Sequence, residues 1–134
     1  MSQENVDVVR RVVDAFNRHD WVAWESLYHS DAEWHDPPEV PGSGVHRGRQ
    51  EIRRYFDELF EIAADGWNIE LDAIESVGPD CVLIRARSVV VGRESRMATE
   101  DPVFQVVDLR HARVWRVRNY RSSRDAIQAV GLRE

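Results

Sequence analysis

One feature limits what this chain can become more than any other: its apolar residues change period near Trp67. Before that point they recur every three or four residues, the spacing of an amphipathic helix. Val6, Val9, Val12, Val13 and Phe16 form one stripe and predict a helix over 3–18, with Ser2 as its N-cap. Trp21, Trp24, Leu27 and Tyr28 repeat the spacing on a short second helix capped by Asp20. A third helix over 49–64 carries Ile52, Tyr55, Phe56, Leu59 and Phe60 on one face. Residues 32–36 read as a short strand, followed by a loop containing Pro37, Pro38, Pro41, Gly42 and Gly44. After Trp67 the period falls to two, with Trp67, Ile69, Leu71 and Ala73 alternating with polar residues, as in a half-buried strand. A turn at Gly78-Pro79-Asp80 leads to strands over 81–91, 103–109 and 114–120. Ser122 or Ser123 then caps a last short helix that contains Ile127 and Val130 and ends at Gly131. Helices first and a strand meander afterwards specify an α+β fold with a mostly antiparallel sheet.

The length of 134 residues fits one domain over 1–134, long enough for a core without staples. Hydrophobic residues at 43%, charged residues at 31% and a mean hydropathy of −0.52 belong to a globular chain. No apolar run approaches the roughly 18 residues of a membrane span, so no membrane partner is expected. A lone cysteine, Cys81, excludes an internal disulfide and a cysteine-based zinc site, and a reduced, cytoplasmic setting follows as the expectation. Residues 1–80 carry 18 acidic and 7 basic side chains, whereas residues 81–134 carry 6 and 11, within a net charge of −6. With pI 5.4 and no basic run longer than Arg10-Arg11 or Arg53-Arg54, nucleic acid is not an expected partner. All 18 basic residues are arginine, a bias we ascribe to codon usage rather than phosphate recognition.

Four segments, VVRRVVDAFNRHD, LYHSDAEWHDPP, HRGRQEIRRYF and VWRVRNYRSSRDAIQAVGL, occur in the order found in the nuclear transport factor 2-like superfamily. The chain resembles in particular its SnoaL-like branch, with the ketosteroid isomerases and polyketide cyclases nearby. That resemblance implies a curved mixed sheet wrapped by helices into an open-ended cone, commonly dimeric. It does not fix a function, because the superfamily holds isomerases, cyclases, epoxide hydrolases and binding modules.

Asp36 is the foremost catalytic candidate. Alternation places it on one strand face with Trp34, where an indole and an aromatic-lined cone would strip water from a carboxylate and favour it as a base. The resemblance adds that the ketosteroid isomerases carry their proton-shuttling carboxylate at this strand position. The competing structural role is acceptance of backbone N–H bonds in the Pro-rich loop. Carried over residue by residue, the isomerase oxyanion apparatus is mostly absent, with Val12, Phe56 and Gln105 at its positions and only Tyr28 kept. Trp115, Val117, Asn119 and Arg121 share a face of the last strand, so Gln105, Trp115, Asn119 and Arg121 join Tyr28, Trp34 and Phe56 as expected ligand-binding residues. Arg121 could pair with Asp36, or Trp115 and Asn119 could be core. An epoxide hydrolase would need an Asp–Arg–Asp set, for which Asp36, Arg85 and Asp101 supply the types; the facing of Asp101 depends on register.

His29, His35 and Asp36 offer metal-ligand types, but His35 and Asp36 point to opposite strand faces, so no metal is expected. His46 and His111 are expected to be solvated in loops, and His19 to lie near a helix end. Neither Cys81 nor Ser43 has the context of a nucleophile, and Gly42, Gly44 and Gly48 are too scattered to cradle phosphate. No cofactor is implied. Val82, Ile84, Val90 and Val114 are expected on the outer sheet face, where they would support a homodimer. The expected function is therefore binding of a small apolar metabolite. It comes either with proton transfer at a carbonyl-bearing ligand or as a non-catalytic module, with epoxide hydrolysis as a further alternative.

Overall fold

In the computed structural model, which describes residues 2–39, 44–63, 66–92 and 94–131, three helices cover one face of a six-stranded sheet and a fourth, short helix packs on the other. The helices are α1 (Ser2–Asn17), α2 (Trp21–Ser26), α3 (Arg49–Ala63) and α4 (Ser123–Ala129). The strands are β1 (Tyr28–His35), β2 (Val45–Arg47), β3 (Gly66–Gly78), β4 (Cys81–Val91), β5 (Ala98–Arg110) and β6 (Arg113–Tyr120). The sheet runs β2-β1-β6-β5-β4-β3 and does not close. Every neighbouring pair is antiparallel except β1 and β6, which are parallel, so the α+β mixed sheet holds. Pro41, Gly42, Ser43 and Ala64 lie outside the described residues.

Local chemistry explains most element ends. Asp20 accepts from the Ala23 amide and starts α2, and Ser122 accepts from the Asp125 amide and starts α4. After α1, the Asp20 amide bonds Ala15 O and the His19 amide bonds Phe16 O, with His19 at φ 55. This is a helix stop of the Schellman type, built on histidine where glycine is usual. Ser2 is already helical, so it is not the N-cap. Tyr28 does not continue α2. Leu27 ends that helix, its carbonyl accepts from the Val114 amide, and Tyr28 opens β1 opposite Val114. The three-residue β2 has no periodic signal of its own. It forms because it pairs with β1 in the register Trp34↔His46, and Gly48 at φ +87 then turns the chain into α3.

The main core lies between the inner sheet face and α1, α2 and α3. Trp24, Tyr28, Ile52 and Phe56 are each 1% exposed or less. Phe56 sits at the centre of the aromatic packing, with edge contacts to Phe16, Trp24, Trp34 and Trp67 at centroid distances of 5.6, 5.5, 5.0 and 6.1 Å. A second, smaller cluster of Leu83, Val106 and Ala126 lies on the outer face under α4.

Two bulges reset the alternation that the sequence suggests. Asp72 is an extra residue on β3, because Leu71 pairs with Ala86 but Ala73 with Arg85; Ile74 therefore enters the core and Ala73 does not. Trp115 is an extra residue on β6, because Arg116 pairs with Asp108 but Val114 with Leu109. Val114, Val117 and Asn119 therefore face inward, and Trp115 is turned out to lie between the guanidinium groups of Arg110 and Arg116, 3.8 and 4.7 Å from its ring centroid.

The outer-face expectation for Val82, Ile84, Val90 and Val114 is also reversed. Val82, Ile84 and Val114 are core residues, and Val90 shares their parity opposite Trp67. The strand buries these side chains and turns Arg85 and Arg87 outward, since burying a guanidinium without a partner costs far more than exposing a valine. Arg87 there meets Asp72 and Glu100 at 3.3 and 2.9 Å. The homodimer expectation thus loses the apolar surface on which it was built.

Candidate functional site

The inner sheet face, α1 and α3 enclose an apolar chamber of about 110 Å³. Its walls are aromatic on most sides, from Phe16, Trp24, Trp34, Phe56 and Trp67, with Val12 and Val13 of α1 and Val103 of β5. Four polar side chains also line it: Tyr28, Ser88, Gln105 and Asn119. Trp34, Trp67, Val103 and Asn119 continue into a more open vestibule, whose wall adds Asp36, Tyr55, Asp101 and Arg121. A small, mostly apolar ligand fits such a space, with its polar atoms meeting only a few groups.

Asp36 lies in the vestibule wall, just past the end of β1. Its side chain is 9% exposed, and both carboxylate oxygens are engaged. The Tyr55 hydroxyl donates to Oδ1 at 2.8 Å, and His46 Nε2–H donates to Oδ2 at 3.1 Å. The two donors are themselves stacked, with ring centroids 3.9 Å apart at 20°. Burial, and then the hydrogen bond and charge of Asp36, push the Tyr55 phenol well above the ordinary tyrosine value. Tyr55 therefore remains a donor throughout the neutral range.

Among the described residues the loop bond of Asp36 is made by its amide, to Gly44 O at 3.1 Å, while its carboxylate is held by Tyr55 and His46. The expectation that His46 is solvated is overturned as well. It lies on β2 against Tyr55 and Asp36, with a side chain 28% exposed. His46, Tyr55 and Ser88 are polar site residues the sequence did not reveal. Tyr55 showed only as part of the apolar face of α3, although an aromatic ring with a polar tip on such a face is a signal for a buried partner.

Asn119 and Gln105 form a chain of amides. Asn119 Nδ2 donates to His35 O at 2.8 Å, and Gln105 Nε2 donates to Asn119 Oδ1 at 2.9 Å. Asn119, 7% exposed, is thus a satisfied buried amide that still contributes to the wall. Across the chamber Trp67 Nε1 donates to Ser88 Oγ at 2.8 Å, which leaves the Ser88 proton to give. Tyr28 is stacked on Trp24 at 4.0 Å, its hydroxyl makes no hydrogen bond among the described residues, and burial raises its phenol well above the ordinary value.

Several candidates lie elsewhere. Trp115 is outside the chamber because of the β6 bulge. Arg121 lines the vestibule but makes no ion pair with Asp36 among the described residues. Register places Asp101 inward, opposite Ser88, so Asp36 and Asp101 share the vestibule. Arg85, with the parity of Leu83 and Arg87, is on the other face, and the Asp36–Arg85–Asp101 set is not assembled. The described residues hold no cluster of three metal-ligating side chains, and His35 Nε2 instead pairs with Glu33 Oε1 at 2.9 Å. Cys81 is half-buried beside Asp108, and burial followed by that carboxylate pushes its thiol up to about 11. Such a thiol is a poor nucleophile.

A family model described as a SnoaL-like domain matches residues 9–123. Solved structures share the fold at low identity. Bal32a, from a soil-derived mobile gene cassette, is 22% identical with a TM-score of 0.79, over 96% of this chain and 97% of that one. A protein assigned as a SnoaL-like polyketide cyclase from Jannaschia sp. CCS1 is 15% identical with a TM-score of 0.76, over 99% and 95%. An M. tuberculosis epoxide hydrolase of the LEH-like type is 13% identical with a TM-score of 0.74, over 96% and 90%. At these identities the likeness establishes the fold alone. No curated protein matches the chain significantly.

Proposed function

The chain belongs to the SnoaL-like domain family, and on that premise we propose that it binds a small apolar carbonyl compound and moves a proton on it, with Asp36 as the base. The observation that carries this reading is the buried Asp36 carboxylate in the wall of the open vestibule, which meets the aromatic chamber at a boundary formed by Trp34, Trp67, Val103 and Asn119. A ligand body held among Trp34, Phe56 and Trp67 would bring its activated C–H to that boundary. Asp36 takes the proton from a carbon next to the carbonyl, the C–H electron pair moves into an enolate, and the proton is then returned to carbon. Tyr55 and His46 fix the carboxylate for the transfer. The enolate oxygen needs donors that are present before charge develops. The Arg121 guanidinium, which lines the same vestibule as Asp36, is suited to that role.

The same observations admit a non-catalytic binding module, since a carboxylate with both oxygens occupied is also a good structural element. Exchange of ketone α-protons separates the two. With 2-tetralone in D2O, an enzyme of this kind accelerates loss of the α-proton resonances over buffer. A module binds such compounds, raising its melting temperature, without accelerating exchange. Epoxide hydrolysis has less support, because Arg85 lies across the sheet from both carboxylates.

A further inference from the structure

We infer that Gln105 is the specificity-determining residue of the inner chamber and that it presents a fixed acceptor, selecting ligands that carry a hydroxyl group besides the carbonyl. The argument begins at the last residue of β1. His35 O is a main-chain carbonyl and can only accept, so Asn119 must turn its NH2 toward it, and the 2.8 Å bond shows that it does. That orientation leaves Asn119 Oδ1 facing Gln105, where it can only accept, and Gln105 must answer with its own NH2 at 2.9 Å. Two forced choices therefore fix the third. Gln105 Oε1 is directed by the backbone of β1, through Asn119, to be the end that remains.

No described residue donates to Gln105 Oε1, while Gln105 belongs to the chamber wall. Filling the chamber with a purely apolar ligand would strip water from this carbonyl and leave it unpaired, which is the costly case for a polar atom. A ligand O–H placed there removes the penalty. The Ser88 and Tyr28 hydroxyls, unlike Gln105 Oε1, also have protons to give and can pair with the ligand's carbonyl. One acceptor and two donors around aromatic walls describe a hydroxylated aromatic or enolisable ketone better than a hydrocarbon or an ether. Such selectivity is strong in sites built around a hydrogen bond, because the wrong ligand leaves the protein group unpaired. The inference deepens the reading above in that it rests on the chamber as the binding site, but it does not depend on Asp36 acting as a base.

The test compares 2-naphthol with 2-methoxynaphthalene and naphthalene, with binding followed by quenching of tryptophan fluorescence. The wild-type protein should bind 2-naphthol at least about tenfold more tightly than the methyl ether, a difference of about 1.4 kcal/mol. Gln105→Met, which keeps the length of the side chain, should reduce that preference to about threefold or less. Gln105→Leu, which likewise removes the acceptor, should reduce it in the same way and serves as the deciding variant if Gln105→Met does not fold. Equal binding of naphthol and ether by the wild type overturns the inference. So does a preference that survives in Gln105→Met or Gln105→Leu, or the absence of binding by all three probes. Naphthol binding involves no proton transfer to carbon, so failure of the proton-transfer reading, seen in α-proton exchange, is distinguishable from failure of this one.

Discussion

Tyr55→Phe deletes one oxygen atom and little else. The ring that stacks on His46 at 3.9 Å and neighbours Phe56 is retained, so the measured change belongs to the hydroxyl. That hydroxyl donates to Asp36 Oδ1 at 2.8 Å, and the Asp36 side chain is only 9% exposed. A hydrogen bond to a charged group contributes about 1.5–3 kcal/mol, and the half-buried position of Tyr55 places the expectation near the lower end. A loss of about 1.5–2 kcal/mol corresponds to a fall in Tm of roughly 5–7 °C for a domain of this size. Urea unfolding at pH 7 gives the energy directly, with an unchanged m-value as the sign that the folded state keeps its compactness. In an Asp36→Asn background the same deletion should cost about 1 kcal/mol less, because the acceptor is then a neutral amide. A Tyr55→Phe protein within about 0.3 kcal/mol of wild type would refute the reasoning, since the carboxylate would then be satisfied by water as well as by tyrosine.

Two further outcomes follow from ionisation. Tyr28 and Tyr55 both hold their protons above the ordinary tyrosine range, so above about pH 10 the unfolded chain loses protons that the folded chain keeps, and stability should fall as pH rises. Urea midpoints measured from pH 8 to 11 check this, and Tyr55→Phe should flatten part of the decline. Cys81, with its thiol pushed up to about 11, should react with iodoacetamide at pH 8 on the order of 100-fold more slowly in the folded protein than in 8 M urea, as mass spectrometry over time would show.

The sequence exposed those parts of the structure that repeat. The stripes of α1 and α3 and the alternation on β4 are periodic over many residues, and the elements formed where the periods placed them. What stayed hidden was local and aperiodic. Asp72 and Trp115 each insert one residue into a ladder, and a single insertion reverses the facing of everything beyond it. For this reason Asn119 and Val117 were placed correctly, while Trp115 and Ala73 were placed on the wrong side. On β4 the alternation was visible but its sign was not, until Arg85 and Arg87 are recognised as the residues the core would reject. The site shows the same division. Asp36, Trp34, Phe56, Gln105, Asn119 and Arg121 line the two spaces, and Tyr28 does so from β1 rather than from α2. His46 escaped notice because β2 is three residues long and acquires its register only by pairing with Trp34.

The claim on which the account depends is that the Asp36 carboxylate exchanges a proton with ligand carbon. The direct measurement is the rate of deuterium incorporation at the α-carbons of 2-tetralone, followed by NMR in D2O for wild type and Asp36→Asn at equal concentration. Asparagine has nearly the shape of aspartate but cannot take up the proton. The account predicts a rate lower by about two to four orders of magnitude in a variant that remains folded, the usual contribution of general acid–base catalysis. An Asp36→Asn protein that exchanges the α-protons as fast as wild type would contradict it.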